Sequence, residues 1–374
     1  MECFALHELP IKYPVLIYWD ANALASRHAT GIVVYGSYLL KALQQYDDLE
    51  FIGLLKLSRL KRKKYLPRHA DLRTHLYIPP FSDWFLKKNA VYHGIDFKVP
   101  NTHRLPRVVT IHDLGVFEKD LSDPRFQAAG IEYNTYLINK LKPDRIIVPT
   151  DFGRDHMLHY FPHTRDIIRV IPHGSEQALA TAEHEPSMPL DTNAITPFIL
   201  CPGSVEKRKN GERLIEAVEL SRCVQERRIH LVFAGGMGYD HESIRRRAAA
   251  SPLAEKIHFF TGLSSRSLQA LYKSALFTIY PSVFEGFGLP IVEAFALGSP
   301  LITANIGAMA EVAAEAALTV DPYSAESISA AIDKFADSGL LREEYRAKGV
   351  HRAHHFSWKD AAALTRDVYL ELKS

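Results

Sequence analysis

The chain has 374 residues, too many for one ordinary hydrophobic core, so two domains are expected. With 47% hydrophobic and 24% charged residues it has a globular composition, and 45 Lys and Arg against 43 Asp and Glu leave no basic excess pointing to nucleic acid. Cys3, Cys201 and Cys223 stand far apart without metal-ligand spacing, which argues against a disulfide framework and fits a reducing cytoplasm.

Residues 1–20 lack the charged start and apolar run of a signal peptide. No apolar run approaches the ~20 residues that span a bilayer, so the protein is expected to be soluble or at most peripheral. Short apolar runs then alternate with amphipathic stretches. Val15–Trp19, Phe51–Leu55, Arg107–Ile111, Arg145–Pro149 and Ile167–Ile171 read as strands, with a helix over Gly36–Gln45. The run from Lys56 to Arg68 is strongly basic. It reads as a solvated loop or, functionally, as a patch facing an anionic membrane surface or a lipid-linked diphosphate acceptor.

Ser175–Pro197 is rich in Ala, Glu, Thr and Pro without periodicity and reads as a linker. A second series follows: strands over Phe198–Pro202, His230–Ala234, Ile257–Thr261, Leu276–Tyr280, Pro300–Ala304 and Ala317–Val320. Helical patterns cover Gly211–Val224, Arg266–Ser274, Ser324–Phe335 and Trp358–Leu372. Strands apolar throughout suit parallel sheets covered on both faces, so an α/β fold is expected. Ala234–Gly238 lacks a full GxGxxG pattern, which argues against NAD. His351, His354 and His355 lack a carboxylate partner and read as surface residues rather than metal ligands.

Three segments carry chemistry. Tyr280–Ala294 reads as a strand end, a turn holding Gly286 and Gly288, and a helix with Pro290 in its first turn. Such a turn suits a diphosphate at the helix N-terminus, with Glu285 and Glu293 accepting hydrogen bonds from sugar hydroxyls beside it. Gly203–Gly211 follows a strand and places Arg208 and Lys209 at its carboxyl end, where fixed cations can stabilise a leaving diphosphate without a metal. Thr110–Leu114 ends a buried strand with His112, which can exchange a hydrogen bond with a substrate hydroxyl near neutral pH. Each segment alone has an ordinary reading as a charged loop or strand end.

Together, and in this order, these segments resemble glycosyltransferase family 4, the retaining GT-B enzymes. Thr30–Tyr35 is similar to the family's donor loop, Val109–Leu114 to its THDL segment, and Leu200–Asn210 to its GTLEPRKN segment. Glu285 to Glu293 fits its E-x7-E signature, and Asn305–Val312 resembles its GxxxEV segment. Phe356-Ser357-Trp358 resembles the start of its final helix. Departures are Val33-Val34 in the donor loop, Thr150 for serine, His173 for asparagine and Lys207 for proline.

The resemblance implies two Rossmann-like domains with parallel sheets facing a central cleft, and a last helix that crosses back. The expected domains are 1–174 with 357–374, a linker over 175–196, and 197–356. It implies catalytic roles for His112, Glu285, Arg208 and Lys209. Donor contacts would come from Gly31, Gly203, Arg208, Lys209, Gly262, Leu263, Glu285, Gly286, Phe287, Gly288, Leu289 and Glu293.

The implied activity moves a hexose, mannose favoured, from a nucleotide-diphosphate sugar to a glycan or lipid-linked oligosaccharide acceptor in polysaccharide assembly. GDP-mannose is the favoured donor, with UDP- and dTDP-sugars as alternatives, and no cofactor, metal or nucleic acid is expected. The implied place is the cytoplasm or the cytoplasmic face of the inner membrane. The rival readings are a same-fold epimerase or phosphorylase, and a catalytically silent binding or scaffold protein.

Overall fold

The computed structural model describes residues 13–26, 30–66, 72–78, 81–179 and 193–373. Cys3, Arg68 and most of the expected linker lie outside the described residues. The first half of the chain contributes strands β1 Val15–Asp20, β2 Leu49–Lys56, β3 Thr74–Tyr77, β4 Val91–Gly94, β5 Arg107–Thr110, β6 Arg145–Val148 and β7 Ile168–Val170. Helices α1 Ala21–Leu24, α2 Gly31–Leu43, α3 Pro124–Tyr136 and α4 Asp151–Tyr160 lie among them.

The second half begins with β8 Phe198–Pro202, α5 Gly211–Leu220, α6 Arg222–Glu226, β9 His230–Ala234 and α7 His241–Ala249. It goes on with β10 Ile257–Phe260, α8 Ser265–Ser274, β11 Phe277–Tyr280, α9 Leu289–Ala296, β12 Leu301–Ala304 and α10 Gly307–Ala313. The last elements are β13 Leu318–Val320, α11 Ala325–Asp337, α12 Gly339–Ala353 and α13 Trp358–Glu371.

Two sheets result, one in the order β3-β2-β1-β4-β5-β6-β7 and the other β10-β9-β8-β11-β12-β13. The pairings are parallel, as β1 with β2 and β8 with β9 illustrate. Strands β1, β8 and β9 are buried along their whole length, which is why their sequences are mostly apolar rather than alternating. In the second sheet, helices cover both faces and leave two apolar cores, one around Phe198, Tyr280 and Phe295, the other around Phe277, Ile279 and Phe335.

Two strands were not expected from the sequence. β3 is an edge strand with two exposed positions, and β4 carries His93 and Gly94 in place of an apolar run. The expected helix over Gly211–Val224 breaks at Ser221, whose hydroxyl accepts from Val224 N (3.2 Å) and starts α6. Gly31–Tyr35, expected as a loop, is the first turn of α2, capped by the Thr30 hydroxyl on Val33 N (3.4 Å).

By compactness the chain forms two units that do not follow chain order. One comprises Met1–Thr110, Leu137–Ile147 and Ala362–Ser374, the other Ile111–Tyr136 and Val148–Ala361. In the first, His93 is fully buried and its two ring nitrogens meet Tyr369 OH (2.6 Å) and Thr110 Oγ1 (2.9 Å). The Tyr35 hydroxyl pairs with the same threonine oxygen at 2.7 Å. Arg145 Nε donates to Glu371 (3.1 Å), and Arg366 makes a two-oxygen pair with Asp48, so most of α13 is fastened to the elements of this unit. Among the described residues no helix is long and apolar enough to cross a membrane.

Tyr369→Phe removes this hydrogen bond to the buried His93 imidazole, at a cost of about 1–3 kcal/mol. Urea unfolding should show a lower midpoint at an unchanged slope; an unchanged midpoint would show that this hydrogen bond adds nothing.

Candidate active site

Strands β8 and β11 are adjacent and parallel, so the loops that follow them leave the same edge of the second sheet. After β8, Gly203 has φ 97°, a conformation that suits glycine. Lys207–Lys209 then form a single 3-10 turn, ended by Asn210 in the left-handed region at φ 65°. The buried Asn210 amide donates to Pro281 O (3.1 Å) and Pro322 O (2.6 Å). Val283 N and Ser282 Oγ both donate to Arg208 O at 2.9 Å. The two loops are thus joined by backbone and amide hydrogen bonds before any charge is counted.

Their charged side chains meet at Glu285, which is only 6% exposed. Lys209 Nζ (2.8 Å) and Tyr280 OH (2.7 Å) donate to Glu285 Oε1, Ser282 Oγ lies 2.9 Å from the same oxygen, and Arg208 Nη1 (2.5 Å) donates to Oε2. Arg208 Nε also lies 2.9 Å from Glu206 Oε1, and Lys209 meets the Tyr280 hydroxyl. Burial alone would raise the Glu285 pKa, but the Arg208 and Lys209 charges and the donated hydrogen bonds hold it down at about 2. Burial likewise works against the Arg208 charge, and Glu285 and Glu206 outweigh it and raise that pKa. Both carboxylate oxygens of Glu285 are engaged with protein donors, whereas the sequence reading assigns them to sugar hydroxyls. Its local role here is to hold two cations in register.

The glycine turn follows. A side chain on Gly286 would place its Cβ 1.6 Å from the His112 carbonyl oxygen, so glycine is required for this approach. The Thr150 hydroxyl donates to Gly286 O (2.8 Å) from the other side. Gly288, at φ 90°, precedes α9, which opens with Leu289 and Pro290. Phe287 is buried against His173, with ring centroids 4.7 Å apart. His173 lies 5.6 Å from the His112 ring, and burial followed by the His112 charge pushes its pKa well below the ordinary value. It is therefore neutral at pH 7.

One turn into α9, Glu293 is half-buried and accepts from Tyr272 OH (3.1 Å); burial raises its pKa against that hydrogen bond. His112, Gly203, Arg208, Lys209 and Glu285–Glu293 all belong to the second unit, as do Gly262, at φ 66°, and the half-buried Leu263. Gly31 belongs to the first.

Several participants carry no signal in the sequence. Tyr280 and Ser282 stand inside the quoted string, but only the structure turns their hydroxyls onto Glu285. Glu311 of the GxxxEV segment accepts from Asp151 N and Phe152 N, both at 2.8 Å, and so caps α4. Asp113, Phe152, His156 and Phe284 line one pocket with His112 and Gly286.

The family described as glycosyl transferases group 1 matches residues 189–352, which hold the cation cluster and the glycine turn. Over 96% of its length the chain is 28% identical to O-antigen chain mannosyltransferase B of Escherichia coli and covers 97% of that protein.

The chain is a transferase enzyme whose residues 189–352 match the glycosyl transferases group 1 family.

Solved structures agree on the fold of this enzyme. It superposes on a sucrose-phosphate synthase from Thermosynechococcus elongatus with a TM-score of 0.76 at 19% identity, covering 96% of this chain and 99% of that one. The TM-score is 0.72 with HepE of Anabaena in complex with UDP-glucose, at 14% identity over 96% and 98% of the two chains. The fold is GT-B, with two parallel-sheet Rossmann-like domains, as the sequence implies.

Because the folded-state pKa of Glu285 lies below its ordinary 4.5, its ionisation stabilises the fold fully above that value. The contribution is lost as pH falls through about 2. Between these limits the unfolding free energy of the enzyme should fall more steeply than that of Glu285→Gln, by at most about 1.4 kcal/mol per pH unit. Urea titrations at stepped pH should show the slopes diverging; parallel slopes would mean that Glu285 is not ionised by its neighbours.

Proposed function

We propose that the enzyme moves a hexose, mannose favoured, from a nucleotide-diphosphate sugar to a hydroxyl of a glycan or glycolipid acceptor. The observation that carries this reading is the pair of cations Arg208 and Lys209, anchored on Glu285 beside Gly203 and the glycine turn before α9. A departing nucleoside diphosphate gains negative charge as the glycosidic bond breaks. Cations already fixed in place can stabilise it without reorganising at the moment of reaction. Arg208 offers a planar fork of donors suited to phosphate oxygens, and Lys209 a compact point charge.

The anomeric configuration is retained in this reading. The acceptor hydroxyl attacks from the face the diphosphate leaves, and a leaving phosphate oxygen takes its proton. The protein supplies positioning and charge rather than a nucleophile. His112 serves the reacting face of the sugar, and its carbonyl contact with Gly286 sets where that segment sits. Because the two side-chain cations carry the charge stabilisation, no metal ion is required. The likeness to an O-antigen mannosyltransferase supports mannose, with GDP as the favoured nucleotide and UDP and dTDP as alternatives. Work at the cytoplasmic face of a membrane, through the basic residues from Lys56 onward, belongs to the same reading.

Lys209→Ala should lower kcat by about 10²–10³-fold, and Glu285→Ala should do the same by releasing both cations. Circular dichroism should confirm that each variant stays folded; full activity in folded Lys209→Ala would refute the reading. Thermal-shift titration with GDP-, UDP- and dTDP-sugars should give the largest rise with GDP-mannose. Transfer should survive EDTA, and the product linkage seen by NMR should keep the donor's anomeric configuration.

A further inference from the structure

Strands β2 and β3 are neighbours and parallel, so the segments that follow them emerge at one edge of the first sheet. After β2 comes a 3-10 helix, Leu57–Tyr65, with no buried residue. Lys61, Arg62, Lys63 and Lys64 on it are all exposed, and no acidic residue occurs from Lys56 to Leu66. After β3 comes a second 3-10 helix, Phe81–Phe85. Phe81 is 76% exposed, Trp84 72% and Phe85 80%. Three large aromatic side chains within five residues, turned outward, are costly in water unless something covers them.

Both segments are held in place from beneath. Asn22 Oδ1 accepts from Lys56 N (2.8 Å), and Arg59 Nη1 donates to Asn22 O (3.1 Å), which fixes the start of the first. In the second, Asp83 is buried and accepts from Tyr77 OH, and Ser82 Oγ accepts from Ile78 N (2.9 Å). Arg104 donates to Trp84 O (2.8 Å) and lies 4.3 Å from the Trp84 ring centre. The polar members of the helix Phe81–Phe85 face the protein while its aromatic members face out. Lys87 and Lys88, both exposed, follow directly.

We infer that Leu57–Tyr65 and Phe81–Phe85 together form a docking surface for an anionic lipid bilayer. The lysines and Arg62 meet lipid phosphates, and Phe81, Trp84 and Phe85 enter the headgroup layer. Aromatic rings flanked by Lys and Arg are the side chains that favour this interface, and the charge selects anionic lipid. The inference deepens the membrane reading made above, which rested on the basic run alone, by naming an apolar element that inserts.

Tryptophan fluorescence tests it directly, because Trp19 and Trp358 are buried and only Trp84 is exposed. Vesicles of phosphatidylcholine with phosphatidylglycerol should bind the full chain and shift its emission to the blue, and vesicles of phosphatidylcholine alone should do neither. The double variant Phe81→Ser/Phe85→Ser, whose charge is unchanged, should bind the anionic vesicles at least about tenfold more weakly. Each of Lys61→Gln, Lys63→Gln and Lys64→Gln should cost about fivefold. All these variants should keep the thermal shift with GDP-mannose, so failure here is separable from failure of the transfer reading. Anionic binding with unshifted emission, or undiminished in the double variant, would overturn insertion and leave only a basic patch. A blue shift with a soluble mannan but not with anionic vesicles would overturn it in favour of a glycan platform.

Discussion

Two cationic side chains on consecutive residues repel each other and resist burial. Arg208 and Lys209 tolerate both because Glu285 is placed between them, one carboxylate oxygen for each. Burial raises the pKa of that carboxylate, and its two cations and the Tyr280 hydroxyl outweigh this and keep it charged. The arrangement therefore stands or falls as a unit. Its geometry is inherited from the sheet, since β8 and β11 deliver the loops to one edge and Asn210 and Ser282 bind them together. Cations fixed beforehand need no rearrangement when negative charge develops beside them, which is what the proposed transfer asks of this cluster.

A second constraint is steric. The approach of the His112 carbonyl to Gly286 leaves no room for any Cβ, and Thr150 holds Gly286 from the opposite side. Glu311 fixes the start of α4 next to Thr150 by taking two backbone N–H groups. Three segments that resemble separate family motifs are thus mechanically linked: the one around His112, the one around Thr150 and the glycine turn. In the second unit the motif residues act on one another as well as on any ligand.

Much of the fold is legible in the sequence because parallel strands buried on both faces must be apolar throughout. β8 and β9 match their expected limits, and most other strands differ by a residue or so. β3 and β4 escaped that signal for physical reasons. An edge strand needs only part of its surface covered, and β4 buries a histidine whose polar atoms are satisfied by Tyr369 and Thr110, distant in sequence. The helix beginning at Gly31 had a readable cue, a threonine in the capping position, outweighed by the likeness to a glycine loop. At the site, residue types were readable but allegiances were not. Glu285, read as a ligand for hydroxyls, is engaged by protein donors, because hydroxyls from Tyr280 and Ser282 reach it only once the turn is formed. The aromatic helix Phe81–Phe85 carries no periodic pattern, and its importance lies in exposure, which a sequence does not display.

The proposed transfer needs Arg208 and Lys209 to seat the diphosphate of a sugar donor. A crystal structure of the enzyme with a nucleoside diphosphate bound tests it most directly. Phosphate oxygens should lie within hydrogen-bond reach of both the Arg208 guanidinium and the Lys209 ammonium, with Glu285 still between them. A diphosphate bound elsewhere, with both cations remaining solely on their carboxylates, would contradict it.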